Sequence, residues 1–344
     1  MRTSSILSAL CFLSLLDGTT SLAQSPTSSL ADTDAGDRTE ETIAAASTTT
    51  WLLLSPATAN LPSPRSYLAM TYDAVSQRIL LFGGDDGTHY LNDTWVFDGR
   101  TWSRVNTPVA PPPRTNAQMA YDVATHRVVL FGGYDGTHYL GDTWIWDGST
   151  FAWTQATPTH SPPAVTGPML FRDATGRVDE FGGFDGHFYQ ATMWRWNGAD
   201  WRRLHPAMVP YARSSAAVGF NPLLDQVVLF GGLADVNPDN TWTYDATGWT
   251  MQNLTTQPQL VYASSAAFDL NLNSVILFGG GSGGVDQDTT WAWSGSVWQQ
   301  LFPMQSPTPR EGAGMAYDEV LGRIILFGGE NHNVLLNDTW ELIP

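Results

Sequence analysis

Three short stretches carry the side chains with the most chemistry: Asp85-Asp86-Gly87-Thr88-His89-Tyr90, Tyr134-Asp135-Gly136-Thr137-His138-Tyr139 and Phe184-Asp185-Gly186-His187-Phe188-Tyr189. Each offers an acid, an imidazole and an aromatic ring in near register: Asp86, His89 and Tyr90; Asp135, His138 and Tyr139; Asp185, His187 and Tyr189. Rings stack on apolar faces and acids accept hydrogen bonds, which suits a sugar or a peptide. The counterparts at Leu233–Asn240 and Gly281–Asp288 lack His and aromatic residues, and the last reads Glu330-Asn331-His332-Asn333. A loop copied by duplication, doing no more than ending strands, would leave the same pattern. A second set is Arg65, Arg114, Arg213 and Arg310, each eight residues before Asp73, Asp122, Asn221 or Asp318, with Val165 and Val261 holding that place elsewhere. Planar arginine forks could grip a carboxylate or sulfate bidentately. The competing reading pairs each arginine with an acid of its own or the next repeat.

The spacing of these groups comes from an internal repeat. A Phe-Gly-Gly triplet begins at Phe82, Phe131, Phe181, Phe230, Phe278 and Phe327, in steps of 49, 50, 49, 48 and 49 residues. A tryptophan follows each triplet (Trp95, Trp144, Trp194, Trp242, Trp291, Trp340), and a second follows the first five (Trp102, Trp153, Trp201, Trp249, Trp298). Each repeat holds four β-like runs, which we call a, b, c and d; in the second repeat they are Ala117–Asp122, Arg127–Phe131, Thr143–Asp147 and Trp153–Ala156. Asp98-Gly99, Asp147-Gly148 and Asn197-Gly198 lie between c and d, where tight hairpins need positive φ. One such sheet cannot bury both faces, whereas six arranged radially can. The sixth repeat lacks its second tryptophan, and Trp51-Leu52-Leu53-Leu54 matches the missing d strand. The expected fold is therefore all-β, a six-bladed propeller over residues 51–344, closed by an N-terminal strand that removes an open edge. Strand alternation places the long b–c loops and the d–a loops on one face, so binding is expected there.

The Gly-Gly pair after a hydrophobic strand, the paired tryptophans and the period of about 50 residues resemble the kelch family. Leu91-Asn92-Asp93-Thr94-Trp95, Leu140-Gly141-Asp142-Thr143-Trp144 and Leu336-Asn337-Asp338-Thr339-Trp340 carry the resemblance best. It implies the propeller architecture; for function it spans protein-binding modules, sugar-active enzymes and the central domain of galactose oxidase. Kelch domains that bind acidic peptides are similar in placing arginines near the channel mouth.

Composition narrows the functions. The net charge is −17 and all 16 basic residues are arginine, so nucleic acid and anionic membrane surfaces are disfavoured. Without lysine there is no Schiff-base chemistry. Residues 1–23 read as a signal peptide: Arg2, an apolar run from Ile6 to Leu16, and Ser21-Leu22-Ala23 before the cleavage point. Residues 24–50 read as a disordered linker. The single cysteine, Cys11, lies in the leader, so no disulfide is expected in the mature chain. The same absence argues against a galactose-oxidase-like copper site, which needs a thioether cysteine. No spacing marks a zinc or calcium site, no G-x-S-x-G elbow occurs, and no later run is long enough for a membrane helix. Asn92, Asn253 and Asn337 begin N-x-T sequons.

One strand breaks the pattern. Arg177-Val178-Asp179-Glu180-Phe181 replaces two core aliphatics with acids, and Arg172 replaces the tyrosine seen at Tyr121. An ion pair between Arg172 and Glu180 across the a–b hairpin is the expected compensation; a buried acid with a raised pKa is the alternative. The expectation for the whole is a secreted (extracellular or periplasmic), monomeric, non-catalytic propeller without cofactor. Its ligand would be a glycan, protein or acidic peptide held on the b–c and d–a loop face. A sugar mutarotase or lyase of the sialic-acid type, and a structural cell-surface module, are the other readings.

Overall fold

Short runs of β-branched and aromatic residues, bounded by Asp, Asn and Gly, set each strand. The computed structural model describes residues 49–54, 61–236, 240–259 and 261–344. The expected signal peptide and nearly all of the expected linker lie outside them. Six four-stranded antiparallel sheets are arranged as a propeller. The first blade is Ala69–Asp73, Arg78–Phe82, Thr94–Phe97 and Trp102–Val105. The third is Met169–Arg172, Val178–Phe181, Met193–Trp196 and Trp201–Leu204. In the sixth, Gly314–Asp318, Arg323–Phe327 and Thr339–Ile343 are joined by Thr50–Leu54 from the other end of the chain.

That closing strand pairs antiparallel with Thr339–Ile343, Trp51 standing opposite Leu342. The strand begins one residue earlier than the sequence suggests. Thr50 pairs with Ile343, and the Thr49 carbonyl accepts from the Met304 amide at 3.2 Å. Backbone bonds thus tie two residues expected to belong to the linker to the propeller, Thr50 to the sheet and Thr49 to the loop after Leu301.

The same local devices recur in every blade. The acid or amide ending strand a caps the a–b turn: Asp73 accepts from the Val75 amide, Asp122 from Ala124, Asn221 from Leu223 and Asp318 from Val320. The Gly-Gly pair has positive φ at both positions, 65° and 102° for Gly83 and Gly84. A Cβ on Gly84 would also lie 2.8 Å from the Ser66 carbonyl oxygen, so the tight passage from strand b into its loop demands glycine.

Blades are joined by apolar layers and by indole donors. In five blades the strand-d tryptophan Nε1 donates to the first threonine of strand c in the preceding blade: Trp102 to Thr339, Trp153 to Thr94, Trp201 to Thr143, Trp298 to Thr241 and Trp51 to Thr290, at 2.9–3.1 Å; Trp249 donates to Met193 Sδ instead. Around the channel on the long-loop face, one residue per d–a loop contributes to a closed cycle of backbone bonds. Asn116 N donates to Tyr67 O, Gly167 N to Asn116 O, Ser215 N to Gly167 O, Ala263 N to Ser215 O, Gly312 N to Ala263 O and Tyr67 N to Gly312 O, all at 2.7–2.9 Å. All six residues have φ between 51° and 63°.

The third blade departs from this scheme. The expected Arg172–Glu180 ion pair does not form. Register sets Arg172 opposite Val178 and Glu180 opposite Leu170. The Arg172 guanidinium instead lies over the Phe220 ring of the next blade, 4.6 Å from its centroid. Compensation occurs one strand over: Arg195 holds Asp179 through Nε at 2.7 Å and also bonds Asp173. Burial, with the Asp173 charge, still pushes Asp179 up to about 6. Glu180 is fully buried and neither carboxyl oxygen has a partner, as the alternative reading anticipated. Opposite it, the Trp194 indole is also unpartnered.

Burial, then the Asp179 charge, holds Glu180 well above the ordinary glutamate range. The acid is thus more readily protonated folded than unfolded. Its stabilising linkage is complete below the unfolded pKa and is lost as pH rises through the folded one. The other five blades carry Leu81, Leu130, Leu229, Leu277 and Leu326 at this place. Glu180→Leu is expected to stabilise the protein by about 1–3 kcal/mol at neutral pH, the usual penalty of an unsatisfied buried polar group. It should also flatten the decline in stability with rising pH. Denaturant melts from pH 4 to 9 check both; a less stable variant would show that Glu180 has a partner in solution.

Candidate functional site

The d–a and b–c loops of one blade are stitched together by short bridges, Ser66 with Asp85, Thr115 with Tyr134, Thr166 with Phe184 and Glu311 with Glu330. These bridges carry the side chains on the long-loop face. Two regions result, one aromatic and one acidic.

The aromatic region runs over the first three blades. Tyr90 meets Tyr134 edge-on at 6.1 Å, Tyr134 meets Tyr139 at 5.0 Å, Tyr139 meets Phe184 edge-on at 5.9 Å, and Phe184 meets Tyr189 at 5.0 Å. Five half-buried rings thus form one unbroken arc. Of the residues singled out from sequence, Tyr90, Tyr139 and Tyr189 are brought together by it. The acids Asp86, Asp135 and Asp185 build their own loops: Asp86 accepts from the His89 amide, Asp135 from His138 and Asp185 from His187, at 2.7–2.8 Å. Burial works against their ionisation, but these hydrogen bonds outweigh it and lower all three pKa values. His89, His138 and His187 are exposed at the loop tips of separate blades.

The four arginines are buried inside the blades, which departs from the expectation of a mouth ringed by free guanidinium. Arg65, Arg114, Arg213 and Arg310 are at most 1% exposed. Arg114 grips both oxygens of Asp142 at 2.7 and 2.8 Å, and donates further to the Gly132 and Pro112 carbonyls. Arg65 does the same with Asp93, and Arg310 with Asp338. The acid also accepts from the tryptophan two residues on, as Asp142 does from Trp144. Burial would raise these acids, but the arginine hydrogen bonds and charges prevail and hold Asp93, Asp142 and Asp338 below the usual range. Arg213 has the amide Asn240 as partner instead, and burial brings it down to about 10. Each arginine braces its own blade, the reading that competed with a ligand role.

The acidic region was missed from sequence. Glu311 follows Arg310 where other blades have Ser66, Thr115, Thr166, Ser214 and Tyr262, and it reaches the d–a loop of the neighbouring first blade. Tyr67 donates to its Oε1 at 2.6 Å. Glu311 Oε2 has no hydrogen-bond partner, and the Tyr262 phenol and the Glu330 carboxyl are its polar neighbours. Burial, then the charges of Glu311, Asp286 and Asp85, push Glu330 up to about 7. Burial and the Glu311 charge likewise push the Tyr262 phenol up to about 12. A side chain at residue 281 would collide with Glu311 and Tyr262, so Gly281 leaves the cluster its room. The signal that could have found this site is departure from the repeat: an acid and a tyrosine where a small hydroxyl residue is the rule.

Among the described residues, no group of three or more His, Cys, Asp and Glu is arranged to hold a metal ion. No helix among them is long and apolar enough to cross a membrane. A family model described as the KLHDC2/KLHL20/DRC7 Kelch-repeats domain matches residues 32–197, which take in the closing strand and the blades up to strand c of the third. No curated protein matches the chain. The six sheets make the fold a six-bladed propeller; the repeats, the Gly-Gly turns and this match over just under half of the chain support the kelch type, an architecture consistent with a ligand-binding scaffold.

Proposed function

We propose that the protein is a secreted, monomeric binding propeller that takes a glycan on its long-loop face. The observation that carries this reading is the unbroken arc of five rings from Tyr90 to Tyr189. Half-buried rings offer stacking surface to the C–H faces of a sugar, and the Glu311–Glu330 cluster across the mouth offers acceptors to its hydroxyls. An acidic peptide fits poorly, because the arginines that would have held it are engaged inside the blades. The leader-like residues 1–23 support export.

Tyr139, at the centre of the arc, should matter most. Tyr139→Ala is expected to weaken binding to glycan-array hits at least about tenfold, since loss of a central aromatic contact usually exceeds about 1.4 kcal/mol. Leu223→Ser, on an exposed a–b turn of the opposite face, should leave binding unchanged. Undiminished binding by the Tyr139 variant, with loss in the Leu223 variant, would reverse the face assignment. Proton transfer on a bound sugar is the second reading, favoured by the Glu311–Glu330 pair with one carboxyl at about 7. Catalysed mutarotation of a hit sugar, lost in Glu330→Gln, would select it.

A further inference from the structure

The aromatic arc repeats with the blades. Within one loop the two rings are tilted, Tyr134 against Tyr139 by 39° and Phe184 against Tyr189 by 45°, with centroids 5.0 Å apart in both pairs. Across a blade boundary the contact is edge-on, 64° at 6.1 Å between Tyr90 and Tyr134 and 85° at 5.9 Å between Tyr139 and Phe184. Spacing and tilt thus recur once per blade. A Cβ on Gly136 would crowd the Tyr90 ring, and one on Gly186 would collide with the Tyr139 ring, so each tyrosine lies over the loop glycine of the next blade. The arc stops in the fourth blade, where Leu233 and Ala234 stand in place of Phe184 and Asp185.

Two features limit the shape of what can lie along these rings. Six blades close a circle, so neighbouring blades are turned by about 60°, and the path from Tyr90 in the first to Tyr189 in the third bends by about 120°. A straight chain laid on one pair of rings leaves the next pair behind. The edge-on contacts also turn the ring faces from blade to blade, so no flat ligand stacks on all of them. A chain whose units turn in step with the blades meets every pair. Charge limits the chemistry. Burial, and then neighbouring groups that include Asp135 at Tyr90, Asp185 at Tyr139 and Asp235 at Tyr189, raises the pKa of all three phenols, which stay neutral donors. The ionised Asp135 and Asp185 beside them repel an anion.

We propose that the arc holds a neutral glycan chain with a curved backbone, at least three sugar units long, so that each of the first three blades stacks on at least one unit. This rests on the glycan reading of the face and adds the length and shape of the ligand. Once one unit is seated, contacts at the next blades form within the complex, so affinity grows steeply with chain length. A single sugar uses one step of three.

The probes are glucose, maltohexaose, laminarihexaose and cellohexaose, titrated calorimetrically into the full-length protein. The α-1,4 and β-1,3 linkages of the second and third curve the chain, and the β-1,4 linkage of the last keeps it straight. At least one curved hexaose should bind at least about tenfold more tightly than cellohexaose and at least about a hundredfold more tightly than glucose. Tyr90→Leu and Tyr189→Leu, at the two ends of the arc, keep an apolar side chain but remove the ring face. Each should weaken the curved hexaose at least about fivefold. Melts followed by circular dichroism confirm that both variants are folded. No binding of either curved hexaose, glucose or cellohexaose bound as tightly as the curved chains, or undiminished binding by both folded end variants would each overturn the proposal. A straight chain or single sugar that still binds would leave the glycan reading in place; failure of every sugar, here and on the array, would overturn both.

Discussion

A chain that begins at Ser55 is expected to unfold at least about 6 °C below one that begins at Thr49, and to aggregate on heating. The short strand Thr50–Leu54 is the outer strand of the sixth blade, and Trp51 within it is completely buried. Losing a buried tryptophan alone costs about 3–5 kcal/mol. For a chain of this size each kcal/mol moves the midpoint by about 2 °C. The lost ladder to Thr339–Ile343 and the Trp51–Thr290 bond across the blade boundary add to that. The truncation also leaves a bare strand edge, the usual route to intermolecular pairing. Removal of residues 1–48 should by contrast leave the melting temperature within about 1 °C of that of a chain that begins at Gln24. Coincident melts for the Ser55 and Thr49 chains, followed by circular dichroism, would refute closure by this strand.

Arg114→Ala is expected to destabilise the protein by about 3–5 kcal/mol, the usual result of stripping one partner from a buried ion pair. Asp142 would keep its Trp144 donor but lose two charge-assisted hydrogen bonds, and the Gly132 and Pro112 carbonyls would lose theirs. The molecule already contains the control. Blades three and five replace both partners together, with Val165 and Thr192 in one and Val261 and Thr289 in the other. The double change Arg114→Val/Asp142→Thr should therefore cost clearly less than Arg114→Ala, because it leaves no buried charge alone. Denaturant titration of the single and double variants gives the comparison. A double variant less stable than the single one would mean that the pair does not act as a unit.

Much of the architecture was legible because it repeats. Six Phe-Gly-Gly triplets and their tryptophans fixed the blade count, and the missing sixth tryptophan pointed to Trp51 at the other end. Such signals are local, since a positive φ or a turn cap depends on a few neighbouring residues. The arginines were harder to read. Their spacing placed them near the mouth, but whether a guanidinium faces solvent or an acid 28 residues away depends on tertiary packing. The partner was nevertheless present in the sequence: where the arginine is absent, the Asp or Asn two residues before the strand-c tryptophan becomes Thr192 or Thr289. Arg172 was misassigned for a similar reason. Hairpin register put it on the same sheet face as Glu180 but did not show the Phe220 ring of the next blade. Glu311 and Glu330 were invisible as a pair because each sits in a different loop and neither belongs to a repeated motif.

The cycle of six backbone bonds at the mouth has an electrical consequence. Every N–H in it points the same way round, so the tangential components of the peptide dipoles chase one another in a circle and sum to nothing. A helix N-terminus or a nest of converging amides gathers positive potential for an anion. Here all six amides are already satisfied by carbonyls and none converges on the axis. These six bonds therefore add no net tangential dipole at the mouth, and the carboxyls of Glu311 and Glu330 are the ionisable groups beside them that an approaching ligand meets.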